Sequence, residues 1–345
     1  MKIVERKIEN VSFISLDNEN GMFVVLSTLG ASIYQLEVAD KDGRMESVVL
    51  TPTNLNDFYT SGGYFGKSVG RFSGRIDDSK CTIDGVTYHL ERNWGGVNAL
   101  HGESNGISFK NFDYEIKENE DSVDVIFTYH ESEKDINLPG DVDYRFIYTV
   151  SKTDKDLTET FKAKTNKTTI VNLTNHVYFN LSGNGKRNVK DELLQFNCDK
   201  YTNLNENLIT ISIDPVNKVF DFTKKHEVGK YIYDESLQKH KALGYDHCWI
   251  KTDENEPVIA ILEDKLSKRR LTVSTSYPAV VCYANCYPAD CDFNVAATKI
   301  EQYHSVCLEC QFVPNGINME GVNKALLKPG EEYNHYIKYH FDLTK

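Results

Sequence analysis

Residues 123–129 read VDVIFTY and residues 144–150 read YRFIYTV, and these two segments decide the fold. In each, apolar or aromatic side chains occupy every second position. Successive side chains of a strand point to opposite faces, so this period of two predicts half-buried β-strands. The segment Ile337–Phe341 repeats the pattern near the end of the chain. The chain is therefore predicted to be all-β.

Turn residues separate such runs. Asp84-Gly85 lies between Cys81–Ile83 and Val86–Tyr88, which predicts a tight β-hairpin. Two further pairs have the same character and are also predicted to turn the chain: they are Asp42-Gly43 and Pro329-Gly330.

Long amphipathic helical patterns are missing. Short helices are predicted around Leu55–Tyr59 and Val228–Tyr233. Many strands with turns between them and few helices indicate a sandwich or a barrel. Because no Pro- or Ser-rich linker and no repeat of fixed period interrupts the chain, residues 1–345 are predicted to form a single domain.

Composition limits the class of partner. The 345 residues carry a net charge of -12, which disfavours nucleic acid and an anionic membrane surface and favours a neutral small molecule. The start of the chain lacks the apolar stretch of a signal peptide, and no apolar run is long enough to cross a bilayer. A cytoplasmic location is expected, and the protein is expected to be a monomer or a homodimer.

The eight cysteines are predicted to be free thiols. Cys307 and Cys310 form a C-x-x-C pair, a spacing that also occurs in zinc sites. The pair lies in a strand-like segment, where residues three apart point to opposite faces. Buried reduced cysteine is therefore the favoured interpretation, and no metal is predicted.

Reactive residues cluster with glycines and turn residues in five segments. These are Gly70–Ile76, Asn98–Gly102, Thr174–Leu181, Gly244–His247 and Leu308–Gln311. Taken singly, each residue has an ordinary explanation: a hydrogen-bonded histidine, an aspartate that caps a turn, a solvated strand glutamate. Two details weaken those explanations. Glu309 shares a strand face with Cys307 and Gln311, and His176 stands in a strongly apolar segment, where it needs a polar partner or a pocket.

Together and in this order, the five segments resemble the aldose 1-epimerase (galactose mutarotase) family. The family pattern Thr-Asn-His-x-Tyr-Phe-Asn-Leu matches Thr174–Leu181 and is highly specific, whereas Leu308-Glu309 alone would carry no weight. The family's Asn-x-Leu-His-Gly and Gly-Tyr-Asp-His match Asn98–Gly102 and Gly244–His247. The resemblance implies a large antiparallel β-sandwich, the galactose mutarotase-like supersandwich, with an open sugar cleft.

The resemblance also implies roles for single residues. Glu309 would be the general base that takes the proton of the C1 hydroxyl, and His176 the general acid that protonates the ring oxygen. The residues implied to bind the substrate are Arg71, His101, Asp246, Asn98 and Tyr178. An aromatic platform for the sugar could come from Trp94, Tyr178 or Trp249.

The chemistry is consistent with these residue types. Ring opening breaks the bond between C1 and the ring oxygen while a hydroxyl proton leaves, so one group must accept a proton and another must donate one. A carboxylate and an imidazolium can form such a pair when the pocket tunes both pKa values. No cofactor, metal or nucleotide is required, and the expected partner is a small-molecule sugar.

Several positions depart from the family pattern and leave the preferred sugar open. They are Gly70, Ser73-Gly74, Glu103, Cys248, Cys310 and the segment Tyr277–Val281, which lacks the usual Gln residues around its Pro. Three alternatives remain. One is a glycoside hydrolase that uses Asp246 and Glu309. The second is a non-catalytic carbohydrate-binding protein on the same fold. The third is a mutarotase for a phosphorylated or unusual sugar; the lack of an added Lys/Arg cluster disfavours a phosphate site.

Overall fold

The computed structural model of the chain describes residues 1–238, 241–296 and 300–345, and in this part of the chain strands dominate. In chain order the strands are β1 Lys2–Ile8, β2 Val11–Asp17, β3 Met22–Ser27, β4 Ser32–Ala39, β5 Met45–Ser47, β6 Ser68–Val69, β7 Arg75–Ile76, β8 Lys80–Ile83, β9 Val86–His89, β10 Ala99–Leu100, β11 Asp113–Glu118, β12 Ser122–Glu131, β13 Val142–Ser151, β14 Asp156–Thr165, β15 Thr169–Ile170, β16 Thr174–Asn175, β17 Tyr178–Phe179, β18 Leu193–Phe196, β19 Cys198–Leu204, β20 Thr210–Pro215, β21 His226–Glu227, β22 Asp246–Lys251, β23 Val258–Glu263, β24 Arg269–Thr275, β25 Ala279–Tyr283, β26 Val306–Gln311, β27 Leu326–Leu327 and β28 Tyr333–Leu343. The α-helices are α1 Leu55–Thr60 and α2 Glu235–Gln238, and single 3₁₀ turns cover Asp77–Ser79, Ile107–Phe109, Val189–Asp191, Val228–Lys230 and Gly316–Asn318.

Three antiparallel sheets contain most of the strands. The largest runs β11-β12-β13-β14-β28-β24-β23-β18-β21, the second runs β17-β26-β25-β22-β19-β20, and the third runs β1-β2-β3-β4-β5. Residues from all three pack into one hydrophobic cluster, for example Phe146, Trp249 and Leu26. The prediction of a large antiparallel β-sandwich with few short helices is confirmed. The prediction of a single domain stays a prediction.

The two segments that decide the fold pair with each other as β12 and β13. Val125 lies opposite Tyr148 and Phe127 opposite Phe146, and all four are fully buried. Aromatic and β-branched residues facing each other across neighbouring strands stabilise a sheet. The alternation in the sequence therefore marks the face of the large sheet that packs on the core.

The predicted hairpin joins β8 to β9 through Asp84 and Gly85. Their φ angles are 49° and 80°, both in the left-handed region that this tight turn requires. Aspartate tolerates that conformation and glycine adopts it freely. The turn residues therefore fix the register of this hairpin.

One predicted helix forms and the other does not. Helix α1 begins after Asn54, whose side chain accepts a hydrogen bond from the backbone N–H of Asn56. The second predicted helix shortens to the 3₁₀ turn Val228–Lys230, and Gly229 within it disfavours continuation. No helix among the described residues is long and apolar enough to span a membrane.

Candidate active site

A cavity of about 300 Å³ opens over the six-stranded sheet. Its floor comes from the strands β22, β25 and β26, and its walls come from the segments around residues 61–64, 74–75, 100–101 and 176–178. A volume of this size is at the lower end of the range for small-molecule sites, about 300–1,000 Å³. The ligand would therefore be a small molecule.

His176 and Glu309 meet inside this cavity although 133 residues separate them in the chain. Nε2 of His176 lies 3.5 Å from Oε1 of Glu309, and both side chains are almost completely buried. Glu309 stands on β26, inside the sheet between β17 and β25. His176 is fixed by its backbone, because its N–H donates to the carbonyl of Lys67 and its carbonyl accepts from the N–H of Gly66. The two groups are thus held on separate rigid supports.

Burial opposes charge on both members of this pair. It lowers the pKa of His176 to about 4. It raises the pKa of Glu309 well above its ordinary value, and the nearby negative charge of Asp246 raises it further. Because the two groups are in contact, their titrations are coupled and belong to the pair. Burial therefore favours a single proton on the pair, on the carboxyl or on the imidazole.

His101 presents a hydrogen-bond donor to the cavity. Its Nδ1 accepts a hydrogen bond from the backbone N–H of Gly74 at 3.2 Å. Burial lowers the pKa of His101 well below its ordinary value, so the ring is neutral and its proton is on Nε2. The His101 ring lies 5.5 Å from the His176 ring. The backbone of the turn thus selects the tautomer of His101.

Asp246 is held by Arg75. Nη2 of Arg75 lies 3.0 Å from Oδ2 of Asp246, and both residues line the cavity. The guanidinium of Arg75 also lies over the ring of Trp94, 4.6 Å from its centre. Among the residues that the structure describes, none hydrogen-bonds the buried Nε of Arg75. This group is a donor that a ligand could use.

The prediction that Arg71 binds the sugar is corrected by the structure. Its side chain is completely buried and does not line the cavity. Its Nε donates to Glu131 at 2.9 Å, and its Nη1 donates to the carbonyl of Pro139 and to the hydroxyl of Thr169. Arg75, four residues on in the same segment, is the arginine at the cavity. The short β7–β10 pairing places it, because Arg75 lies opposite Leu100.

Asn98 is also away from the cavity lining. It is buried, and its side-chain oxygen accepts a hydrogen bond from the backbone N–H of Asp78 at 3.0 Å. In this structure Asn98 is therefore not placed to contact a ligand in the cavity. Asn98 instead ties together the loops that carry Arg75 and His101.

Aromatic rings flank His176. Tyr178 stacks on it with ring centres 5.0 Å apart, and its hydroxyl donates to the carbonyl of Gly63 at 2.7 Å. Tyr64 lies near-parallel to the imidazole at 6.0 Å. Trp94 lines the cavity, as Tyr178 does, whereas Trp249 is in the core. Tyr64 was not among the predicted residues, because no alternation or motif in the sequence distinguishes it from a core tyrosine.

Two groups of residues carry atoms that could bind a metal ion. The candidate ligand atoms of His101, His176 and Glu309 lie within 4.8 Å of one another. The hydrogen bond from Gly74 keeps the proton of His101 on the nitrogen that would have to bind an ion, so this group fits hydrogen bonding better than metal binding. Cys307 packs beside the cavity and Cys310 in the core, on opposite faces of β26, which does not suit a shared zinc ion.

Comparisons with known proteins show the family to which the chain belongs. The chain matches the family model for Aldose 1-epimerase over residues 12–340. A galactose mutarotase from Sus scrofa is 32% identical over 318 residues, which are 91% of this chain and 90% of that protein. The crystal structure of an aldose epimerase homologue from C. elegans has a TM-score of 0.86 and 26% identity, covering 97% of this chain and 100% of that one. A galactose 1-epimerase from Lactobacillus acidophilus has a TM-score of 0.85 and 25% identity, with 100% and 99% covered. Because the family model matches most of its length and a relative is 32% identical over 91% of it, the chain belongs to the aldose 1-epimerase family.

Proposed function

We propose that this cavity binds a free hexose and interconverts its α and β anomers by opening and reclosing the ring. The contact between His176 and Glu309 carries this proposal, because it brings a proton acceptor and a proton donor together in a buried, sugar-sized space. Both groups keep their positions through strand pairing and backbone hydrogen bonds.

Ring opening requires two proton transfers. Glu309, as carboxylate, takes the proton of the C1 hydroxyl while the bond between C1 and the ring oxygen breaks. His176, as imidazolium, gives a proton to the ring oxygen, which becomes a hydroxyl, and C1 becomes an aldehyde carbon. Rotation about the C1–C2 bond turns the other face of the aldehyde toward the former ring oxygen, which is now a hydroxyl. Reclosure then reverses both transfers, so protons and electrons balance without a co-reactant.

The bound sugar supplies the charge arrangement that this step needs. In the unliganded cavity, burial favours a proton on Glu309. A hydrogen bond from the C1 hydroxyl to Glu309 stabilises the carboxylate and shifts the shared proton toward His176. The 3.5 Å contact provides a short path for that proton.

The remaining polar groups of the cavity hold the sugar. His101 donates through Nε2, Asp246 accepts from hydroxyls, and Arg75 takes the place that the sequence had suggested for Arg71. Tyr178 and Trp94 offer apolar surfaces to the ring carbons. The cytoplasmic location and the monomeric or homodimeric state stay predictions.

The alternative of a glycoside hydrolase has less support in the geometry. A hydrolase needs two carboxyl groups that act on one glycosidic bond. Here Asp246 is paired with Arg75, and Glu309 contacts His176. No observation in the cavity favours bond cleavage with water over ring opening.

Polarimetry tests the proposal. Freshly dissolved α-D-glucose and α-D-galactose should reach rotational equilibrium faster with the protein than without it. His176→Ala should remove this acceleration, and His130→Ala, which changes an exposed histidine on β12, should retain it. Release of reducing sugar from an aryl glycoside, without faster mutarotation, would support the hydrolase instead.

A further inference from the structure

Buried polar atoms that line the cavity and have no hydrogen-bond partner mark places where a ligand could bind. Two such atoms are found in the described part of the chain: Nε of Arg75 and Oε1 of Gln311. Buried polar groups are nearly always hydrogen-bonded, because leaving them unpaired is unfavourable. Arg75 already belongs to the groups proposed to bind the sugar. The missing hydrogen-bond partner of Oε1 of Gln311 is left to explain.

Gln311 has little to bind within the protein. Its side chain is completely buried. Its Nε2 lies 3.5 Å from the carbonyl of Glu309, at the outer limit for a hydrogen bond. Its partner across the strand pair is Ala279, whose side chain offers no polar atom. The amide is therefore held in the cavity wall without satisfying its own acceptor.

The position of Gln311 on β26 relates it to the catalytic pair. Glu309 and Gln311 are two residues apart on one strand, so both side chains point to the same face of the sheet. Their Cα atoms are about 6.6 Å apart along a strand. With Glu309 at the C1 hydroxyl, Gln311 reaches a hydroxyl on another carbon of the ring. The unpaired Nε–H of Arg75 is a hydrogen-bond donor, and Oε1 of Gln311 is an acceptor. A sugar hydroxyl can accept from the first or donate to the second.

We propose that Gln311 is a substrate-binding residue that determines specificity by accepting a hydrogen bond from a sugar hydroxyl other than the one on C1. This inference rests on the proposed function and deepens it. A site built to pair with a hydroxyl discriminates against an analogue that lacks it, because the buried partner is then left unpaired. Gln311 therefore makes the enzyme sensitive to one particular ring position.

The experiment compares sugars that lack one hydroxyl each. Mutarotation of glucose, galactose and their 2-, 3-, 4- and 6-deoxy analogues is followed by polarimetry with the wild type and with Gln311→Met. The control is Gln302→Met, which changes an exposed glutamine that donates a hydrogen bond to the carbonyl of Cys286 and does not line the cavity.

We expect the wild type to discriminate against the deoxy analogue that lacks the hydroxyl bound by Gln311 by about fivefold or more in kcat/KM, as one neutral hydrogen bond allows. Analogues that lack a hydroxyl bound by His101, Asp246 or Arg75 should be discriminated against as well. Gln311→Met should lose that discrimination alone, with a rise in KM for the parent sugar and little change in kcat. Gln302→Met should behave as the wild type does. An unchanged pattern in Gln311→Met, or an equal loss toward every sugar, would overturn the assignment.

Folding and the failure of the proposed function are monitored separately. Urea midpoints report on folding, and if Gln311→Met unfolds, Gln311→Asn repeats the comparison with a shorter amide. Calorimetric binding of each sugar is measured alongside turnover. A wild type that binds sugars but does not interconvert anomers would refute the proposed function, and the binding pattern of the variant would still decide the role of Gln311. A wild type that neither binds nor converts any of these sugars would refute both.

Discussion

Two charge clusters are each built around an arginine of the segment Gly70–Ile76, but they differ in what they face. The inner cluster is Arg71 with Glu131 and Tyr144, and its side chains are directed into the protein. The cavity cluster is Arg75 with Asp246, next to Glu309 and His176. The side chains of Arg71 and Glu131 are 0% and 1% exposed, whereas those of Arg75 and Asp246 are 13% and 10% exposed.

The difference shows that burial and ion pairing alone do not mark a functional residue. Arg71 is more buried than Arg75 and makes more hydrogen bonds to protein groups. Among the described residues, Nη2 of Arg71 and Oε1 of Glu131 lack a hydrogen-bond partner just as Nε of Arg75 does. What distinguishes the cavity cluster is that its members border the cavity, which a ligand can enter, whereas those of the inner cluster do not. Mutation should therefore affect stability in the inner cluster and chemistry in the cavity cluster.

The largest expected effect is on catalysis, from Glu309→Gln. Removing the proton acceptor should lower kcat by about 10²–10⁴-fold, the usual contribution of a positioned proton transfer. Sugar binding and the urea midpoint should stay close to wild type, because the amide has the same shape. Polarimetry and calorimetry measure the two quantities.

Glu131→Gln is the matched control for that change. Glu131 accepts hydrogen bonds from Arg71 and Tyr144, so the variant should lower stability and leave kcat of the folded protein unchanged. If Glu131→Gln removed turnover while the protein stayed folded, the distinction between the clusters would fail.

The next effect is on stability, from Arg71→Leu. Removing one partner of a buried ion pair leaves the other charge unpaired and costs about 3–5 kcal/mol. Arg75→Leu should cost less stability, because water in the cavity can reach Asp246, and should raise KM for the sugar. Urea unfolding and polarimetry on both variants test this. Equal losses of stability would contradict the comparison.

The same two arginines show what the sequence can and cannot predict. Alternation predicted the strands β12, β13 and β28, because side-chain direction in a strand depends only on local backbone geometry. The specific segment Thr174–Leu181 pointed to His176. The choice between Arg71 and Arg75 depended on where the chain turns at Gly74, whose φ of 75° and close approach to Pro314 are set by tertiary contacts.

Other features of the site were equally hidden. The tautomer of His101 depends on a backbone N–H 27 residues away in the chain. The stacking of Tyr64 near His176 depends on how the loop after α1 folds back over the sheet. Neither follows from a local pattern, because both arise from segments that meet only in the folded protein.

The last prediction concerns the pH dependence of turnover. The cavity cluster should control this dependence, and the inner cluster should not. Turnover needs one proton on the pair of His176 and Glu309. The pKa of His176 is lowered to about 4, so a second proton binds only as the pH falls toward that value, and activity should fall on that side. The pKa of Glu309 is raised well above its usual value, so the last proton leaves at higher pH, and activity should fall there too.

The resulting profile of kcat/KM should be bell-shaped, and each limb should approach a tenfold change per pH unit. In Glu309→Gln the carboxyl can no longer titrate, so the limb that it causes should vanish from the residual activity. Glu131→Gln should keep both limbs, because the inner cluster does not contact the shared proton. A wild-type profile that is flat from mildly acidic to alkaline pH would mean that the cavity pair does not exchange protons with the sugar, and the two clusters would then differ only in their exposure.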